Sequence, residues 1–102
     1  MKAMTKLVNW FNLQCDGDWE HGDGIKISTL DNPGWMVDIS LEGTGLEEKD
    51  FVPFKIDRSE DDWLRCIVEG KRFRIACGPS NLEEGLEQFL EWAGYGEDTG
   101  TN

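Results

Sequence analysis

The sequence predicts an α+β domain: an antiparallel, meandering sheet of about five strands, with an N-terminal and a C-terminal helix packed on it. Three observations carry this. Apolar residues recur with a helical period near each end of the chain, they alternate with polar residues through the middle, and Gly or Pro punctuates the alternating runs.

Met4, Leu7, Val8, Phe11 and Cys15 fall at i, i+3, i+4, i+7 and i+11, so the spacing predicts a helix from Ala3 to Gln14. Trp10 widens its apolar stripe, and the stripe's phase predicts a buried Cys15. Asp16-Gly17-Asp18 stops the helix, because Gly supplies a left-handed cap and Asp favours turn hydrogen bonds. After Gly24 the period becomes two: Ile25 and Ile27 alternate with Lys26 and Ser28, then Trp35, Val37, Ile39 and Leu41 with Met36, Asp38 and Ser40. Asn32-Pro33-Gly34-Trp35 between these strands predicts a type II turn with Gly34 at positive φ, and hence a first hairpin.

Glu42 to Asp50 has no apolar period and reads as a loop. Phe51 to Asp57 predicts a strand with Val52, Phe54 and Ile56 on one face, at a sheet edge because Pro53 has no amide to donate. Arg58 to Asp62 reads as a polar turn that brings Glu60, Asp61 and Asp62 together. Leu64, Cys66 and Val68, then Phe73, Ile75 and Cys77, predict a second hairpin through a type II′ turn at Gly70-Lys71, with both cysteines buried. Ser80-Asn81-Leu82-Glu83 matches a capping box and starts a helix expected from Asn81 to Ala93, with Gly94 as its C-terminal cap. Residues 96–102 read as a flexible acidic tail, which leaves a single domain over residues 1–95.

A chain of 102 residues builds one core. Its formal net charge of -11 disfavours phosphate backbones and anionic membranes, so neither nucleic acid nor membrane is an expected partner and a basic protein is. Three cysteines without C-x-x-C spacing fit neither a disulfide framework nor a tetrahedral zinc site, and suit a reducing compartment. Lys2, Lys6, Asn9 and Asn12 interrupt the apolar residues at the N-terminus, so no signal peptide is expected and the protein reads as cytoplasmic.

The stretch from Cys15 to Trp35 is the densest in residues that do chemistry. Asp16, Asp18 and Glu20 alternate as at the start of a calcium loop, but His21 stands where glycine is needed and Ile27 where the bidentate acid should be. An acidic turn capping the helix explains the same residues. Cys15 with His21 suggests a nucleophile and a base, yet a thiol at a helix C-terminus beside carboxylates is disfavoured as a thiolate. Paired acids with divided acid and base roles would look the same as an acidic surface, and no phosphate-binding glycine loop is present. Neither metal nor cofactor is expected. Trp19, flanked by Asp18 and Glu20, reads either as an exposed interface residue for a basic partner or as core.

The run Gln14 to His21, then Gly24-Ile25-Lys26-Ile27 and Thr29 to Trp35, resembles the immunity protein 53 family of bacterial polymorphic toxin systems. Asp62-Trp63 with Cys66, and Asn81-Leu82 through Phe89-Leu90 and Trp92, extend the resemblance across nearly the whole chain. It departs at Asp23, where the family commonly carries an aromatic. The resemblance implies a small cytoplasmic, non-enzymatic protein that binds and neutralises a cognate toxin. The acidity of the chain adds to this that the toxin is a basic nuclease-type domain, with Asp16, Asp18, Trp19, Glu20, His21 and Asp23, together with Glu60, Asp61 and Asp62, as the toxin-binding residues. Two other readings are a small enzyme using Cys15 or the acid cluster with His21, and a calcium-dependent binding module.

Overall fold

A computed structural model describes residues 2–22 and 24–95 of the chain. The proposed acidic tail and Asp23 lie outside the described residues. Helix α1 (Lys2–Gln14) precedes strands β1 (Ile25–Leu30), β2 (Gly34–Ser40), β3 (Phe54–Ser59), β4 (Asp62–Glu69) and β5 (Arg72–Cys77), and helix α2 (Leu82–Trp92) follows them. All five strands pair antiparallel in one open sheet of order β1-β2-β5-β4-β3. Thus β3, β4 and β5 form a meander, the hairpin β1-β2 adds to β5, and the 41–53 connection carries the chain to the far edge.

Registers fix the two faces. Val37 pairs Ile75, Ile75 pairs Cys66, and Cys66 pairs Phe54, so these side chains share one face; the registers of Ile39, Phe73, Cys77 and Leu64 put them there too. Helix α2 packs on this face over β4 and β5, and α1 packs against α2. Phe73, Phe89, Ile39, Leu41, Leu64, Ile75, Leu86 and Leu90 are fully buried between the layers. An aromatic chain runs through the core: Phe51 meets Phe73 with centroids 4.8 Å apart, Phe73 meets Phe89 at 5.1 Å, and Phe89 meets Trp10 at 5.0 Å. Offset and edge-on rings of this kind add to their area burial.

The opposite face is open to solvent. It carries Lys26, Lys55, Arg65, Arg72 and Arg74, five of the ten basic residues, but among the described residues only the acids Asp38, Asp57 and Glu69. Arg72 and Arg74 reach Asp38 at 2.7 and 3.2 Å, and Arg74 also reaches Glu69 at 3.3 Å. Arg65 lies over the Trp63 ring, 5.5 Å from its centroid. The acidic excess therefore belongs to the loops and helices, not to this face.

Several local expectations are corrected. Gly34 is not at positive φ in a type II turn; it opens β2, paired with Leu30, where a Cβ would run into the Cys77 carbonyl. Gly is needed there for close approach of two strands, not for a turn. Gly70 and Lys71 both have φ of 60°, which makes the second hairpin's turn type I′ rather than II′. Strand β3 starts at Phe54, and Val52, expected on its apolar face, is exposed, while Phe51 turns back into the core. The edge position expected from Pro53 is what the sheet shows. Ser80 makes no capping box: Asn81 is the N-cap residue of α2 and its side chain is engaged elsewhere.

Candidate functional site

The predicted site residues fall at opposite ends of the sheet. Ile25 pairs Ile39 at one end of the first hairpin and Leu30 pairs Gly34 at the other, about 17 Å away at the rise of an antiparallel strand. Asp16 to Gly22 adjoin the Ile25 end, where the Ser40 amide donates to the Gly24 carbonyl at 2.8 Å. Glu60, Asp61 and Asp62 sit at the Gly34 end, because Leu64 and Trp35 both pair Cys77. A single contact patch joining the two groups is not what the fold builds.

The 16–22 segment is organised by its own carboxylates. One Asp16 Oδ1 accepts from the amides of Asp18 and Trp19 at 2.9 and 3.0 Å, while the Glu20 carboxylate accepts from Asp16 and Gly17 at 2.9 and 2.7 Å. The amides of Trp19 and Asp18 hold the Asp16 carboxyl below the usual range, and Glu20's own amide, with those of Asp16 and Gly17, does the same for Glu20. Two of the expected contact acids thus also build the loop. Asp18 and His21 are exposed.

Trp19 is core. Only 8% of it is exposed, its ring meets Trp10 edge-on at 5.5 Å and Phe11 at 5.5 Å, and its Nε1 donates to the Ser40 carbonyl at 3.1 Å. The alternative reading of an exposed Trp19 is corrected: helix α1 offers apolar rings that outweigh the polar flanks Asp18 and Glu20. Cys15 is likewise corrected in the other direction. It is exposed, with Sγ donating to the Phe11 carbonyl at 3.3 Å, because the helix ends one residue before it and turns the chain outward. Local desolvation, then Glu20 and Asp16, push its thiol up, the wrong direction for a nucleophile. Burial pushes the Cys66 and Cys77 thiols up to about 12 and about 11.

A concavity of about 400 Å³ opens beside the acidic loop, lined by Asp16, Asp18, Trp19, Gly22, Ser40, Glu42 and Gly43. Glu42 is the acidic member that sequence reasoning missed. It lies far along the chain and meets Asp16 and Asp18 only because β2 returns to the Gly24 end. Its loop is held by the buried Leu46, by Thr44 Oγ1 donating to the Leu41 carbonyl at 2.7 Å, and by the Lys71 to Glu47 ion pair at 2.7 Å. Lys71 holds the Glu47 carboxyl below the usual range. Among the described residues no group of three or more His, Cys, Asp and Glu side chains is gathered closely enough to hold a metal ion.

At the other end Asp62 is tied into the fold. Arg58 reaches Asp62 at 2.7 Å and Glu84 of α2 at 2.6 Å, and Asn81 Nδ2 donates to Asp62 at 2.9 Å and to Glu84 at 3.0 Å. Asn81 Oδ1 accepts the Trp63 amide at 3.2 Å. This network fastens α2 to the β3-β4 turn, and only Glu60 and Asp61 of that acidic trio are left without a structural task of this kind.

Among the described residues the concavity gathers the carboxylates of Asp16, Asp18 and Glu42, a negative surface that attracts cationic groups. No curated protein and no solved structure is significantly similar to the chain. The family model described as immunity protein 53 matches residues 4–94, which takes in α1 from Met4 onward, α2, all five strands and the acidic loop. The chain belongs to the immunity protein 53 family.

Proposed function

We propose that the protein neutralises a cognate polymorphic toxin of the basic, nuclease type by binding it, without catalysis, in the cytoplasm. Family membership supplies the role and the toxin as partner. The observation that supports acidic complementarity is the segregation of charge: five of ten basic residues sit on the open sheet face, while Asp16, Asp18 and Glu42 gather around one concavity at the sheet's end. A toxin that must hold phosphate presents cations, and opposed fields raise association rates by orders of magnitude at low salt. The interface on this reading centres on Asp18, Glu20, His21 and Glu42, with Asp16 and Trp19 shaping the loop from beneath. Glu60 and Asp61 form a second, distant acidic patch.

The test is rescue. The toxin domain encoded beside this chain is expressed in a sensitive cell with and without it, and the two proteins are then co-purified. Rescue with a stable one-to-one complex is the expected result; a harmless neighbour, or toxicity without rescue, removes the reading.

A further inference from the structure

The two edges of the sheet are built differently. Edge strand β3 is blunted by Pro53 just before it, by a register shift between Asp57 and Ser59, and by the charges of Lys55 and Asp57. These are the devices by which sheet proteins refuse further strands. Edge strand β1 is less protected: it is six residues, Ile25–Leu30, without Pro or bulge and with Lys26 as its one charged side chain.

Hydrogen-bond phase tells which groups on β1 face outward. Ser40 donates to Gly24 and Leu41 donates to the Lys71 carbonyl, so even-numbered β2 residues bond β1 and odd-numbered ones bond β5. Hence Lys26, Ser28 and Leu30 bond β2, while the amides and carbonyls of Ile25, Ile27 and Thr29 point away from the sheet. Ile27 is 38% exposed, and Thr29 is exposed too, on the face that α2 covers mainly over β4 and β5. Acids flank this edge at both ends: Asp18 and Glu20 in the loop that leads through Gly24 into β1, and Asp31 in the turn that leaves it.

We propose that the toxin docks by adding an extended, basic segment to the β1 edge, hydrogen-bonding the outward backbone groups of Ile25, Ile27 and Thr29. This inference rests on the toxin-binding reading above and names how that binding is made. The partner segment carries an apolar residue opposite Ile27 and cations toward the flanking acids. Main-chain bonds supply affinity in such strand addition, and side-chain pockets and charge supply selection. The acidic loop adjoins the Ile25 end of β1, so the charges that steer the toxin bring it to the end of this edge.

Amide hydrogen exchange of the protein alone and in its purified toxin complex decides the matter. Alone, the amides of Ile25, Ile27 and Thr29 exchange fast while those of Lys26, Ser28 and Leu30 are protected; in the complex the first three slow by tenfold or more. Ile27→Pro removes one outward donor without touching the β2 ladder, and it should weaken toxin binding at least tenfold. Ile27→Lys keeps the amide and sets a cation against a basic strand, so it should weaken binding even if the proline variant fails to fold. Lys55→Ala on the β3 edge should bind as the parent does. If toxin binds and is neutralised while the three amides stay unprotected and both Ile27 variants bind normally, the edge inference fails and the immunity role stands. If the parent protein neither binds nor neutralises the toxin, both fall. Protection of the three amides that appears with rising concentration of the protein alone would assign the edge to a second copy instead.

Discussion

Trp19 donates its indole N–H to the Ser40 carbonyl at 3.1 Å, locking the acidic loop onto the end of β2. That bond joins residues 21 positions apart and stands at the junction of loop, helix α1 and sheet. Trp19→Ala removes it together with the ring contacts to Trp10 and Phe11, and should cost about 3–5 kcal/mol. Trp19→Phe keeps most of the packing and should cost about 1–2 kcal/mol. Urea unfolding checks both. A Trp19→Phe protein that folds normally yet loses toxin would return Trp19 to the interface.

The strand crossing at Gly34 yields a second expectation. A Cβ on Gly34 meets the Cys77 carbonyl, which is backbone and fully enclosed by the sheet. On Gly85 it would meet Ile75 Cγ2 at 2.8 Å, a side-chain atom that gives more readily. Gly34→Ala should therefore destabilise by about 3 kcal/mol or more and Gly85→Ala by about 1–3 kcal/mol. Thermal melts of the two variants give the order directly.

Periodicity was enough to read the helices and the strands β2, β4 and β5 because each buries one face and burial imposes the period on the sequence, while β1 and β3, with no buried residue, were read from alternation and the turns beside them. What escaped were features set by partners distant in sequence. Gly34 looks like a turn glycine until Cys77 is placed across from it, and Ser80-x-x-Glu83 looks like a capping box until Asn81 is found holding the Trp63 amide. The site was half legible for the same reason: Asp16 to His21 are contiguous, whereas Glu42 and the outward phase of β1 follow from the way β2 returns along β1.

The thiols separate by exposure. Cys15 is exposed, while Cys66 and Cys77 are buried. An aromatic disulfide reagent should modify one thiol in the native protein and three after denaturation. The native reaction should run slower than with a free cysteine peptide, since desolvation and the Glu20 and Asp16 charges keep the Cys15 thiol protonated. Fast modification of all three would mean that the second hairpin opens readily.

Steering by the acidic concavity predicts a kinetic signature. Asp18→Asn with Glu42→Gln should lower the toxin association rate roughly tenfold at low salt, and the difference should fade as ionic strength rises and screening shortens to about 8 Å or less. Asp18 and Glu42 are the pair to change because neither carboxylate holds a loop amide. Stopped-flow association across a salt series makes the measurement. Equal rates at every salt concentration would remove these acids from the encounter.

The Arg58, Asp62, Asn81 and Glu84 network predicts how stability responds to acid. Asn81 and Arg58 hold the Asp62 carboxyl below its usual range, and Arg58, then Asn81, hold that of Glu84 there. A carboxyl whose pKa is lower folded than unfolded adds stability above its unfolded pKa and loses it as pH falls toward the folded value. The unfolded values lie near 3.9 and 4.3. Unfolding free energy should thus be level from neutral pH to about 5 and decline below about 4.5. Asp62→Asn combined with Glu84→Gln should flatten that decline, leaving the share contributed by Asp16, Glu20 and Glu47, whose carboxyls are also lowered. Asn81 is 6% exposed, and Asn81→Ala, which strands the Trp63 amide, should cost about 2–3 kcal/mol at pH 7. Denaturant midpoints for the parent, the double variant and Asn81→Ala between pH 3 and 7 would expose an error: an acid limb unchanged in the double variant means the network does not link α2 to the β3-β4 turn in solution.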